Sequence, residues 1–306
     1  MTILFSIAAY DYLAAELAPL AGAERGRLER SRFPDGERYL RVLDDVNDHD
    51  VIVVGGTISD EATLEIYDLA STLVEEGAAT MTLVVPWYGY ATMERATKHG
   101  EAVTAKTRAR LFSSIPPAKL GNQILMLDLH SVGIPYYFER PMHPVHVLAK
   151  PLIEQLAREL GGPRFILGST DAGRAKWVES LAYDLCVPAA FVYKRRLGPT
   201  ETEVTAVSTR LNGETVVIYD DMIRTGTSLM NAARAYRDSG AGSIAAVATH
   251  GVFPDTALQR ILDSGLFTGI ACTDSHARVE SLRCENLTVR SVAPLFVPFL
   301  RQTRSD

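Results

Sequence analysis

The chain has 306 residues, 47% of them hydrophobic and 22% charged, a globular composition with length for about two domains, each burying its own core. A formal net charge of −6 argues against a nucleic-acid partner held by a general basic field, while leaving room for a locally basic phosphate pocket. No run of about 18 apolar residues is present, so neither a membrane-crossing helix nor a membrane partner is expected.

The apolar start, Met1–Ala9, has no basic region before it and soon meets Asp11 and Glu16, which predicts a strand leading into a helix rather than a signal peptide. After the first strand, Ile3–Ile7, the chain alternates. Strand Val51–Val54 precedes helix Glu61–Glu76, Thr82–Val85 precedes Ala102–Ser113, and Ile124–Leu127 precedes Val147–Leu160. Strand Phe165–Leu167 then leads to helix Gly173–Leu185, Ala189–Val192 to a polar loop at Arg195–Val204, and Val216–Tyr219 to helix Ser228–Ser239. Ile244–Ala248 and Gly269–Cys272 are the last two strands expected. These runs are rich in Val, Ile and Leu and scarcely alternate, as parallel strands covered on both faces require. The rhythm predicts an α/β protein with doubly wound sheets. It runs twice, with a break near Pro141–Pro144, giving domains 1–145 and 146–306 and a ligand crevice between them or above the strand ends. Cys186, Cys272 and Cys284 are odd in number and far apart, which predicts buried reduced thiols in a cytoplasmic protein.

The most informative stretch runs from Val216 to Ser228. A buried strand ends in Asp220 and Asp221, and a loop with Thr225, Gly226, Thr227 and Ser228 opens a helix. Glycine lets backbone approach a ligand, hydroxyls donate, and a helix N-terminus offers free N–H groups to an anion. The carboxylates can accept from vicinal sugar hydroxyls, so the ligand is both a phosphate and a polyol. Taken singly, the hydroxyls are an N-cap and the acids a turn; their order favours the ligand. The stretch resembles the PRPP motif shared by type I phosphoribosyltransferases and PRPP synthetases, where the acids hold ribose hydroxyls and the Thr-Gly-Thr-Ser turn the 5-phosphate. Arg224 departs from the Asp of many synthetases.

Further stretches resemble the PRPP synthetase family specifically. Phe33-Pro-Asp35-Gly-Glu37 is similar to a loop that reaches the nucleotide base of a neighbouring subunit, and it is also strong turn chemistry. Pro86–Arg95 with Lys98–Glu101 is similar to the loop that carries nucleotide contacts, so Glu94 and Arg95 are implied there. Thr92 and Met93 stand where an Arg–Gln pair is usual, a change that is not conservative beside a polyphosphate. His130, in Asp128-Leu-His, resembles a ligand of the Mg2+ that travels with the triphosphate. Asp171, in Ser169-Thr-Asp-Ala-Gly173, resembles the aspartate that meets a second Mg2+ and the ribose. Lys194 and Arg196 match mobile-loop cations that neutralise the transferring phosphoryl group, although a Lys-Arg-Arg run is ordinarily a solvated patch. Ala248–Phe253 is similar to a strand end over the ribose phosphate. Arg174 and Trp177 replace a Gly and an Arg. His143 and His146, with no cysteine partner, are a weak zinc signal.

The resemblance implies two tandem type I phosphoribosyltransferase-like domains with mainly parallel sheets, the first on the nucleotide side and the second on the ribose 5-phosphate side. It implies ATP and ribose 5-phosphate as substrates, PRPP and AMP as products, Mg2+ as cofactor, and a homo-oligomer built from dimers, commonly a hexamer. Two alternatives remain. A regulatory, non-catalytic paralogue is motivated by Thr92, Met93, Arg174 and Arg224. A PRPP-using phosphoribosyltransferase would leave the first half unexplained.

Overall fold

Short runs of β-branched and leucine side chains, buried on both faces, become the interior of two parallel sheets. A computed structural model describes residues 1–196 and 202–301; the side chains of residues 172, 194–196, 202–206 and 301 are not among those described. The chain divides into two compact units, Met1–Leu148 with the segment from Ser291, and Ala149–Arg290.

In the first unit the order is β1 (Thr2–Ser6), α1 (Asp11–Ala21), β2 (Glu24–Arg25), β3 (Leu28–Arg32), β4 (Arg38–Val42), β5 (Asp50–Val54), α2 (Asp60–Glu75), β6 (Thr80–Val85), α3 (Thr104–Ser113), β7 (Asn122–Leu127) and β8 (Met142–Val147). The second unit runs α4 (Lys150–Gly161), β9 (Ile166–Ser169), α5 (Ala175–Leu185), β10 (Ala189–Ala190), β11 (Val192–Arg196), β12 (Thr202–Val207), β13 (Thr215–Ile223), α6 (Thr227–Asp238), β14 (Ser243–Gly251), α7 (Ala257–Asp263), β15 (Gly269–Thr273) and β16 (Leu287–Arg290). The last helix, α8 (Ala293–Arg301), packs on α1 and is counted with the first unit. A cut at 145/146 alone would give it to the second.

Each unit holds a six-stranded sheet, ordered β2-β1-β5-β6-β7-β8 in one and β10-β9-β13-β14-β15-β16 in the other, and every pairing within them is parallel. The two orders are the same pattern. Each has an antiparallel two-stranded ribbon inserted after its second strand, β3 with β4 and β11 with β12. The twofold α/β rhythm of the sequence is therefore one topology used twice, with the strands' carboxyl ends gathered along one edge of each sheet, where open α/β folds bind ligands.

The elements absent from the sequence expectation lack a core-facing pattern. Strand β3 is charged and largely exposed, and β4 carries two arginines and is mostly half-buried. β8 contains Pro144, tolerated because β8 is an edge strand with no neighbour needing its amide. The Pro141–Pro144 stretch is thus mostly strand rather than connector. The helix expected from Gly173 starts with a short 3-10 turn, Ala172–Arg174, before α5. Only Cys272 is buried; Cys186 and Cys284 are exposed free thiols, because each lies in a connection rather than a strand.

In the second unit a single phenol ties helix to sheet. Tyr236 of α6 is fully buried, and its hydroxyl accepts from the Ser169 amide at 3.0 Å and reaches the Ala190 and Ser169 carbonyls at 2.9 and 3.0 Å. Gly168 leaves room for the ring, since a Cβ there would lie 3.0 Å from it. Tyr236→Phe should cost about 1–3 kcal/mol by stranding buried backbone groups, measured as a lowered urea midpoint with unchanged slope.

Candidate active site

Strand β13 extends past the expected Tyr219 to Ile223, so both acids lie within it. Asp220 accepts from Thr170 Oγ1 at 2.9 Å, and the side chain of Asp221, 6% exposed, is ion-paired with the Arg174 guanidinium. Burial, and then the adjacent Asp221 charge, push Asp220 up to about 7. The turn beyond is fastened from β14: the amides of Val252 and Phe253 both donate to the Ile223 carbonyl, at 3.0 and 3.1 Å. Phe253 reaches that position with φ of 38°, and Asp255 beyond it with 52°, left-handed values rare outside glycine.

Gly226 is the N-cap of α6, with φ of 76°. A Cβ there would lie 2.4 Å from Ile261 Cδ1, so both backbone sign and packing demand glycine. No side chain caps this helix and no acid stands in its first turn. Thr225, Thr227 and Ser228 are exposed, and the hydroxyls of Thr225 and Thr227 lie 3.2 Å apart. Uncapped amides, a positive dipole end and clustered hydroxyls form an anion cradle.

The first unit supplies the contrast. β5 holds the same place in its sheet as β13, and it too leads into a helix, α2. Here Ser59 caps the helix, its Oγ accepting from the Ala62 amide at 3.0 Å, and Asp60 and Glu61 fill the first turn. The two carboxylates are themselves ion-paired, Asp60 with Arg108 and Glu61 with Arg32, so cap and side chains already occupy this N-terminus. Of these two counterpart helix ends, the one in the second unit is left open.

The nucleotide-side candidates of the first unit fall on two loops. Phe33, Asp35 and Glu37 are exposed at the tip of the β3–β4 ribbon, where Glu37 O accepts from Phe33 N at 2.9 Å and Asp35 Oδ1 from Glu37 N at 3.1 Å. Phe33 lies edge-on to Tyr39, ring centroids 5.9 Å apart. Glu94 and Arg95 lie in the loop after β6, 3.6 Å apart as an ion pair, beside exposed Thr92 and Met93. This loop is built: Tyr137 Oη donates to Glu94 O at 2.6 Å, and Glu101 accepts from the amides of Thr97 and Lys98. Trp87 is buried.

His130 follows β7 and is half-buried. Asp128, two residues before it, is buried with φ of 36°, backbone strain at the turn that carries the imidazole. His146 holds that turn: its Nε2 accepts from Leu129 N at 2.9 Å, which explains this histidine without zinc. Sequence reasoning missed this partner because β8 carries no strand signature. Asp171 is half-buried on the loop after β9, and its Oδ1 accepts from Gly173 N at 2.9 Å. His130 lies in the first unit and Asp171 in the second. Among the described residues no group of three or more His, Cys, Asp or Glu could hold a metal. His130 and Asp171 are each a single candidate ligand in its own unit, and a hard cation that keeps most of its waters, the usual manner of Mg2+, asks no more of the protein. Lys194 and Arg196 lie on β11, with side chains outside those described, and residues 197–201 of the expected loop are likewise outside. Arg224 is exposed, and His250 is buried with Nδ1 2.8 Å from Ser275 Oγ.

A cavity of about 480 Å³ lined by Phe165, Cys186, Pro188 and Thr215 opens at the amino ends of β9 and β13, away from the motif, and its size does not outweigh the chemistry at the carboxyl ends. His146 gives a pH test. Burial lowers its pKa from 6.5, partly opposed by the Asp128 charge, so the fold prefers the neutral acceptor. Its contribution is present above 6.5 and is lost as pH falls from there through the lowered value. His146→Gln, a non-titrating acceptor, should flatten that loss in denaturant midpoints followed from pH 7.5 to 5, at up to about 1.4 kcal/mol per pH unit.

Comparison with known proteins agrees with this architecture. Residues 2–115 match the family model of the N-terminal domain of ribose phosphate pyrophosphokinase, and residues 185–303 that of the phosphoribosyl synthetase-associated domain. The ribose-phosphate pyrophosphokinase of Gloeobacter violaceus is 34% identical over 95% of this chain and 87% of its own length. That of Fusobacterium nucleatum is 32% identical over 93% and 89%. The crystal structure of phosphoribosylpyrophosphate synthetase from Mycobacterium smegmatis superposes with a TM-score of 0.86 at 28% identity, covering 98% of this chain and 97% of that one. With relatives this similar over nearly their whole lengths, the chain belongs to the ribose-phosphate pyrophosphokinase family.

Proposed function

We propose that this enzyme transfers the β,γ-diphosphate of ATP to the 1-hydroxyl of ribose 5-phosphate, giving PRPP and AMP. The observation that carries the reading is the uncapped N-terminus of α6 directly after the Asp220–Asp221 strand end, set against its capped counterpart α2. Thr225, Gly226, Thr227 and Ser228 would hold the 5-phosphate through amides and hydroxyls, and Asp220 and Asp221 would accept from ring hydroxyls. Phe33, Asp35, Glu37, Glu94 and Arg95 would face the nucleotide. His130 would ligate the Mg2+ that travels with the triphosphate, and Asp171 would meet a second Mg2+ and the ribose hydroxyls. Lys194 and Arg196 would meet charge that grows on the phosphoryl oxygens during transfer, so positioning and electrostatics supply most of the catalysis. The reading includes a cytoplasmic homo-oligomer, in keeping with the family resemblance. No described helix is long and apolar enough to cross a membrane.

Purified protein with Mg2+, ribose 5-phosphate and each of several nucleoside triphosphates should form PRPP and a nucleoside monophosphate. The preferred donor would show what Thr92 and Met93 change. A folded protein that binds ribose 5-phosphate but turns over with no donor would overturn the reading in favour of a regulatory paralogue. Lys194→Ala should lower kcat by about a hundredfold or more, the scale of a lost transition-state charge partner, with little change in ribose 5-phosphate affinity. Equal loss of both would remove its assigned role.

A further inference from the structure

Two adjacent carboxylates at the end of a buried strand form a natural site for a divalent cation, yet in the second unit a side chain is already there. The Arg174 guanidinium is paired with Asp221, and the two side chains are only 20% and 6% exposed. Asp220 is engaged separately by Thr170 Oγ1 at 2.9 Å. Arg174 is the N-cap residue of α5, where a cation opposes the helix dipole, and its side chain offers that helix no capping bond. Helix formation therefore does not explain arginine at this position.

A second contact fixes the first. Trp177, three residues on and so on the same face of the helix, stacks on Tyr219, with ring centroids 3.9 Å apart and planes 13° from parallel. Tyr219 lies two residues before Asp221 on β13 and so shares its face of the sheet. Arg174 at the N-cap and Trp177 in the first turn of α5 thus meet Asp221 and Tyr219 of β13, a two-point register that seats the guanidinium on the carboxylate. The pairing brings a positive charge to Asp221, and its field also opposes the upward push on Asp220, inside the fold and in fixed geometry.

We propose that Arg174 is a positioning residue that acts as the built-in counter-ion of the Asp220–Asp221 pair, so that the sugar phosphate is held there without a divalent cation at the acids. The proposal rests on the reading of this motif as the ribose 5-phosphate site. The guanidinium orients the Asp221 carboxylate as an acceptor and occupies Oδ2, one of the oxygens a metal would need. Any Mg2+ that takes part in the reaction is then held elsewhere, at His130 or Asp171.

Two binding measurements on the intact protein test this, neither depending on turnover. Calorimetry with Mn2+ alone should give Arg174→Ala one more site than the parent, and Asp221→Asn placed on that variant should abolish the extra site. With Asp171→Asn as background, ribose 5-phosphate affinity should change less than about twofold between EDTA and Mg2+, as absence of coupling at the acids requires. Arg174→Ala should lose about tenfold or more in EDTA, as an uncompensated buried charge implies, and regain it with Mg2+. Arg174→Lys should stay metal-independent, which a purely structural role would not predict. A parent that itself loses a Mn2+ site on Asp221→Asn overturns the proposal even if Arg174→Ala fails to fold. So does sugar binding that needs Mg2+ in the Asp171→Asn background. If Arg174→Ala gains the Mn2+ site but ribose 5-phosphate binds no form of the protein, the counter-ion role stands and the sugar-site reading falls.

Discussion

Two carboxylates side by side at the end of a buried strand cannot both stay charged without compensation, and the second unit is arranged around that constraint. Burial and mutual repulsion raise Asp220, while Arg174 meets Asp221. The neighbouring parts follow from holding this pair still. Tyr236 fixes the Ser169 end of the adjacent loop, Thr170 of that loop donates to Asp220, and the β14 turn grips Ile223 just beyond. A ligand cradle built on such strand ends is preorganised, because its polar groups are positioned by sheet and helix rather than by the ligand.

The repeated topology shows how one framework yields two different ends. Parallel strands satisfy their backbone polar groups laterally, so their faces are committed to packing and chemistry is left to the carboxyl ends. At the first unit's end after β5, a serine cap and two acids close the helix N-terminus. At the end after β13, glycine and hydroxyls leave it open. The difference lies in a handful of residues, not in the fold.

Legibility from sequence followed the same division. The core strands β1, β5, β6, β7, β13, β14 and β15 could be read because each carries a dense apolar run, and the PRPP motif because its order of acids, glycine and hydroxyls is chemically specific. The β3–β4 ribbon could not, since its residues are charged and its pairing draws on register rather than burial. β8 hid behind Pro144, and α8 contains a proline that interrupts its helical pattern. Arg174 was recognisable as unusual, but its partner was not, because Asp221 lies 47 positions away.

By itself the sequence determined the α/β class, the twofold rhythm and the residue types at the phosphate turn, since these depend on local periodicity and on the stereochemistry of glycine and helix ends. Only the tertiary structure decided which carboxylate is paired, which helix N-terminus is open, and that His146 rather than a metal holds the turn before His130. Those outcomes depend on contacts between residues distant in the chain, whose energies are set by burial and distance, quantities that exist only once the sheet has formed.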